Sequence, residues 1–236
     1  MSKCLIIPDI HLKPWILQDA EDVLHKDSSI DMAACLGDIV DDWGREYQLD
    51  IYEGTLITVL EFMTKHNNAL LCYGNHDVSY LWGKEETGYS FTARHLVLKY
   101  LDKIKNVCGS RLQFVHKVEN VIFSHAGLTQ EYVEEYCGDI RKDIDEVLRR
   151  INNDFGVEEL WKYTSPIWAR LQPGYSKYTM FAPEYLQVVG HTLVEKPLLS
   201  GDVLSVDTFS TLRDGTPIGD RRFIWVDTVS KEWGYE

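Results

Sequence analysis

A chain of 236 residues with 44% hydrophobic and 26% charged side chains has ordinary globular usage and can bury a sizeable core, which excludes a disordered chain. Its 24 basic and 37 acidic residues leave a formal net charge of −13, a surface that repels phosphate backbones and anionic lipids, so neither nucleic acid nor a membrane is expected as a general partner. The start of the chain lacks the apolar length of a signal segment or a span, and the five cysteines (Cys4, Cys35, Cys72, Cys108, Cys137) form no C-x-x-C pair, so a reducing cytoplasm is the expected compartment.

Cys4–Pro8 is a short apolar run that suits a strand buried on both faces. Ile16, Ala20, Val23 and Leu24 then recur at helical spacing, and Met32–Leu36 is the next buried run. Leu56, Val59, Leu60 and Met63 mark a second helix before the run Ala69–Tyr73. This β-α-β-α-β order predicts an α/β sandwich with a parallel stretch of sheet. Val97, Leu98, Leu101 and Ile104 predict a further helix, and Leu112–Val115 with Val121–Phe123 read as paired strands around a polar turn. Ile140, Ile144, Val147, Leu148 and Ile151 form a helical stripe, so the region 129–163 is expected to be a helical layer or a cap over a site. Leu186–Val189, Val203–Val206 and Phe223–Val226 suggest a second sheet of shorter strands. No repeat or linker divides residues 1–236, and one domain is the simplest count.

The first three apolar runs each end in a polar cluster: Asp9-Ile10-His11, Gly37-Asp38 and Gly74-Asn75-His76-Asp77. Ligands collect at the carboxyl ends of strands in open α/β sheets, so these clusters are expected along one sheet edge. Asp9 and His11 lie two apart and can point to the same side of an extended chain, towards one shared cation. Asp38 follows a glycine that permits a sharp turn. Asn75 is an uncommon metal ligand, and His76 beside it supplies a titratable group next to a metal rather than on it. His125 and His191 also follow apolar runs and adjoin small residues, whereas His25, His66, His95 and His116 fit ordinary surface or hydrogen-bonded imidazoles. A mixed nitrogen and oxygen ligand set suits manganese, iron or zinc better than calcium.

The order D-x-H, G-D-x-x-D, G-N-H-D, H-A-G-L and G-H-T, running from Asp9 to about Asp207, resembles the calcineurin-like metallophosphoesterase superfamily. It is most similar to the phosphoprotein phosphatase branch, including bacterial and phage serine/threonine phosphatases and symmetrical diadenosine tetraphosphatases. The resemblance implies a four-layer α/β/β/α sandwich of two mixed sheets flanked by helices. It implies two divalent metal ions, manganese first, with Asp9, His11 and Asp38 on one and Asp38, Asn75, His125 and His191 on the other. It further implies hydrolysis of phosphate esters by water activated between the metals, with His76 and Asp41 as an acid pair and Arg170 gripping phosphate. Asn75, His76 and Arg170 would contact the substrate, a phosphorylated protein or a small phosphate ester.

Several positions depart from the family pattern. Asp42 stands where a second phosphate-binding arginine is usual, with Arg45 nearby as a substitute; Leu12 and Phe209 replace glycines, and Asp77 replaces the commoner glutamate. These changes bear on substrate more than on the ligands. The expected function is therefore a serine/threonine-phosphatase-like phosphomonoesterase, the alternatives being a dinucleoside polyphosphate or phosphodiester hydrolase and a catalytically silent metal-binding module.

Overall fold

A computed structural model describes residues 2–174 and 177–236. The first five expected elements appear in order: β1 (Lys3–Ile7), α1 (Trp15–Lys26), β2 (Ile30–Cys35), α2 (Leu49–Lys65) and β3 (Ala69–Cys72). α3 (Asn75–Trp82), α4 (Arg94–Cys108) and the short β4 (Leu112–Gln113) follow. Neighbouring β1, β2 and β3 run parallel, so their carboxyl ends share one edge. Strand alternation then assigns two faces. Leu5, Ile7, Ala33, Cys35 and Leu71 pack with side chains of α1, α2 and α4, whereas Cys4, Ile6, Ala34 and Cys72 look the other way.

Those inner side chains meet Val121, Phe123, Leu186, Val188, Leu204 and Val206 of a second sheet. It contains β5 (Val115–Val118), β6 (Val121–Ser124), β7 (Leu186–Leu193), β8 (Leu198–Ser200) and β9 (Val203–Asp207), in the order β5-β6-β7-β9-β8. Both sheets are mixed; β6, β7 and β9 are parallel, while β5 and β8 are antiparallel to their neighbours. On the outer face, Val115 and Ile122 pack with Tyr132 and Val133 of α5 (Gln130–Cys137) and with Val147 and Ile151 of α6 (Ile144–Asn153). Helices, sheet, sheet and helices make the four expected layers.

Two strand assignments from sequence need correction. Leu112–Val115 is not one strand: Leu112–Gln113 pairs with β3 in the first sheet, and the chain crosses to the second at Phe114. Asn152 of α6 holds that crossing, its Oδ1 accepting from the amides of Phe114 (3.0 Å) and Val115 (3.1 Å). The run Phe223–Val226 joins the first sheet, as β10 (Ile224–Asp227), antiparallel to β1 with β11 (Trp233–Tyr235) beyond it. There it covers the flank of β1 that would otherwise present unpaired backbone groups. The segment 129–163 supplies α5, α6 and the single turn α7 (Val157–Leu160) to the outer layer on the second sheet.

Candidate active site

The site forms where the carboxyl ends of β1, β2, β3, β6 and β7 converge. Five of its residues, His11, Leu12, Asp38, Asp41 and His191, have φ between 42° and 66°, a region that non-glycine residues occupy only at a cost. Leu12 stands where the family pattern has glycine, and its φ of 55° explains why glycine is usual there. Tertiary hydrogen bonds hold this strained backbone. The amides of Ile10 and His11 both donate to Asp38 O (3.1 and 2.7 Å), and Leu12 N donates to Ile39 O. Asp77 clamps the third loop to the second, accepting from Ile39 N and Gly74 N at 2.9 Å each, and so caps α3. It serves as a brace outside the ligand set.

Gly74 and Gly190 are needed for space. A β-carbon on Gly74 would overlap Asp38 Oδ1, and one on Gly190 would overlap Asp9 Oδ1. His191 was expected at a strand end but lies inside β7, where the register with β9 shifts between Val189 and Leu193. Such irregularities re-aim side chains beside active sites.

Hydrogen bonds to backbone carbonyls orient two of the imidazoles. His11 Nδ1 is 2.9 Å from Asp41 O and His125 Nδ1 is 2.9 Å from Leu36 O, which assigns the proton to Nδ1 in both rings. His11 Nε2 then faces Asp38 Oδ2 (3.7 Å) and Asp9 Oδ2 (4.0 Å). His125 Nε2 lies 3.2 Å from Asp38 Oδ2, 3.0 Å from Asn75 Oδ1 and 3.1 Å from His191 Nδ1. With Nε2 unprotonated these atoms converge as ligands for a cation, and without one a proton on His125 Nε2 can be offered to Asp38 instead. Two ligand groups result, Asp9–His11–Asp38 and Asp38–His125–His191, each with ligand atoms within 4.8 Å of one another, and Asp38 belongs to both. Asn75 adjoins the second through His125.

Burial raises Asp9 well above the usual carboxyl range and pushes His11 down to about 4. Burial also opposes charge on Asp38 and His125, but their attraction outweighs it: Asp38 is held low by His125 and His76, and His125 rises to about 10 beside Asp38 and Asp9. Opposed shifts of this kind mark groups packed closely enough to need counter-charge.

Beside the ligand pocket, His76 Nδ1 lies 3.1 Å from Asp41 Oδ2. The other oxygen, Oδ1, accepts from the hydroxyls of Tyr52 (2.7 Å) and Tyr80 (2.6 Å). Burial disfavours charge on His76, yet Asp38 and Asp41 overcome it and lift the imidazole to about 9. Sequence reasoning missed both tyrosines; the only available sign was Tyr80 four residues after His76 on α3, which puts both on one helix face. Arg170 Nη1 donates to Thr192 Oγ1 (3.0 Å) and His191 O (3.3 Å).

A cavity of about 470 Å³ opens over these groups, lined by His11, Asp38, Asp41, Asn75, His76, Arg170 and His191. Asp9 and His125 lie beneath it, 1% and 0% exposed. All nine predicted site residues therefore fall in one place. Among the described residues, none from 129–163 lines the cavity. Asp42 sits on the rim with Oδ1 accepting from Trp43 N (2.9 Å) and Oδ2 3.3 Å from Lys13 Nζ. Arg45 is directed away, to Gln48 Oε1 at 2.7 Å, and lines a smaller neighbouring hollow.

A two-sheet sandwich carrying a cation pocket of carboxylates and imidazoles defines a metallophosphoesterase, a hydrolase of phosphoric ester bonds. The chain belongs to the calcineurin-like phosphoesterase family, whose sequence profile matches residues 2–195. No curated protein sequence matches it. Among solved structures it is similar to a cold-active protein-tyrosine phosphatase of the psychrophile Shewanella sp. (16% identity, 100% of this chain and 80% of that one, TM-score 0.56). It is also similar to a protein serine/threonine phosphatase from Saccharomyces cerevisiae (14%, 95% and 72%, TM-score 0.55). A putative diadenosine tetraphosphatase is a third (14%, 100% and 93%, TM-score 0.52). At these identities the likeness is one of fold.

Proposed function

We propose that this chain is a metal-dependent phosphomonoesterase of serine/threonine-phosphatase type, acting in the cytoplasm on a phosphorylated protein or a small phosphate ester. The observation that carries the reading is the opening, into one cavity, of a converging set of lone pairs and an imidazole held by a fully bonded aspartate. Asp9, His11 and Asp38 would hold one divalent ion, and Asp38, Asn75, His125 and His191 a second. Manganese is the first choice, with iron or zinc as alternatives. When bound, such ions supply Lewis-acid polarisation of the phosphoryl group and lower the pKa of water.

The chain's own residues do the rest. With Nδ1–H donated to Asp41, His76 presents Nε2 to the cavity and can protonate the leaving oxygen. Asp41 fixes the ring and favours its charged form, and the two tyrosine hydroxyls keep that carboxylate from rotating. Arg170, anchored through Thr192, would bind non-bridging oxygens and stabilise charge as it builds in the transition state. Asn75 and His76 complete the substrate contacts.

A second reading, a dinucleoside polyphosphate or phosphodiester hydrolase, rests on Asp42 standing where the family pattern has a phosphate-binding arginine, because a diester carries less charge and needs that cation less. Hydrolysis of an aryl phosphate, a bis-aryl phosphate diester and a dinucleoside polyphosphate, each with manganese, separates the readings. The monoester is expected to have the highest kcat/KM. A diester or polyphosphate preference would favour the second reading, and turnover of none of them a silent module.

A further inference from the structure

Lysine is rarely buried unless its charge is held. Lys13 is only 8% exposed, yet it lines the cavity. The left-handed pair His11–Leu12 turns the chain after β1, and Pro14 then leads directly into α1, so the backbone of Lys13 is fixed from both sides. Its Nζ has two acceptors, His11 O at 3.1 Å and Asp42 Oδ2 at 3.3 Å. An ammonium group has three N–H donors, so one remains for the cavity.

Asp42 is correspondingly not a bare anion facing the substrate. One oxygen takes the Trp43 amide and the other faces Lys13, so the rim carries an ion pair of no net charge. The arginine that the family pattern leads one to expect at position 42 is thus replaced by a lysine reaching in from position 13. Arg45, the other candidate, is turned towards Gln48. A dianionic phosphate would draw the ammonium harder than a monoanionic diester does, since the attraction scales with the product of the two charges.

We propose that Lys13, steered by Asp42, is a second phosphate-contacting cation of this site and a determinant of monoester over diester specificity. This rests on the phosphoesterase reading above. It is tested with manganese-loaded Lys13→Met and Lys13→Arg, assayed on an aryl phosphate and a bis-aryl phosphate diester, with inorganic phosphate as inhibitor and metal content measured in each variant. Lys13→Met is expected to raise both the monoester KM and the phosphate inhibition constant by about tenfold or more, the effect of losing a charge-assisted hydrogen bond. The diester KM should move much less, both metals should stay bound, and Lys13→Arg should restore most of the loss. An unchanged monoester KM and phosphate inhibition in Lys13→Met overturns the inference alone. A wild-type protein that neither hydrolyses an ester nor binds phosphate overturns the functional reading and this inference with it. Should Lys13→Met not fold, the wild type decides: inorganic phosphate is expected to shield Lys13 from acetylation, read by mass spectrometry, and equal labelling with and without phosphate overturns the proposal.

Discussion

The ligand pocket and the Asp41–His76 pair lie side by side but are built on opposite terms. In the pocket, His125 Nε2 faces the acceptor oxygens Asn75 Oδ1 and Asp38 Oδ2 and the ring nitrogen His191 Nδ1 at 3.0 to 3.2 Å. In the pair, Asp41 takes donors on both oxygens, from His76, Tyr52 and Tyr80. One arrangement gathers groups that could hold cations, while the other is complete within the protein. Under the proposed function, the contrast separates residues whose loss should remove metal from residues whose loss should remove chemistry with the metal still in place.

The largest effect is expected from Asp38→Asn, because Asp38 belongs to both ligand groups. Changes one shell further out typically cost 10–100-fold in metal affinity or activity, so loss of a shared ligand should lower turnover by at least about 10³-fold. Elemental analysis should find metal depleted. His76→Asn comes next: turnover should fall by about 10²- to 10⁴-fold with both metals retained. A lost ion in that variant would dissolve the distinction, because His76 would then belong to the pocket.

Chelation sharpens the same contrast through stability. Metal binding to the folded state alone adds about 2.7 kcal/mol at a concentration 100 times Kd, so the Tm should fall on chelation and recover with added manganese in a concentration-dependent way. A Tm indifferent to chelator would mean that the pocket is already satisfied without cations. The smallest effect is expected from Tyr80→Phe, which leaves Tyr52 as the remaining hydroxyl on Asp41 Oδ1. Because it also leaves the buried Ser90 amide without its acceptor, it should cost roughly 1–3 kcal/mol in stability and a modest fraction of kcat, with metal content unchanged.

How much of this was legible in the sequence follows from which contacts are local. Three apolar runs each ending in polar residues placed Asp9, Asp38 and Asn75 on one edge, because strand ends and their turns are written in adjacent residues. The strand that covers β1 was not legible: a short apolar run around Ile224 carries no mark of which sheet it joins. Nor was the crossing at Phe114, which depends on Asn152, 38 residues further on. His191 lines the same cavity as the other candidate residues but sits inside its strand rather than at its end, since a register shift leaves no local pattern. Tyr52 and Tyr80 pass for core aromatics, and only folding brings both hydroxyls onto one oxygen of Asp41. Asp42 misled for a similar reason: its partner Lys13 comes from a different loop.

The most direct test of the central claim is a manganese titration of metal-free protein by calorimetry, with aryl phosphate hydrolysis followed at each point. Two ions should bind per chain, with no turnover before metal and full turnover only once the second ion is in place. Hydrolysis that is complete without added metal, or that saturates with a single bound ion, would contradict a site built around two cations sharing Asp38.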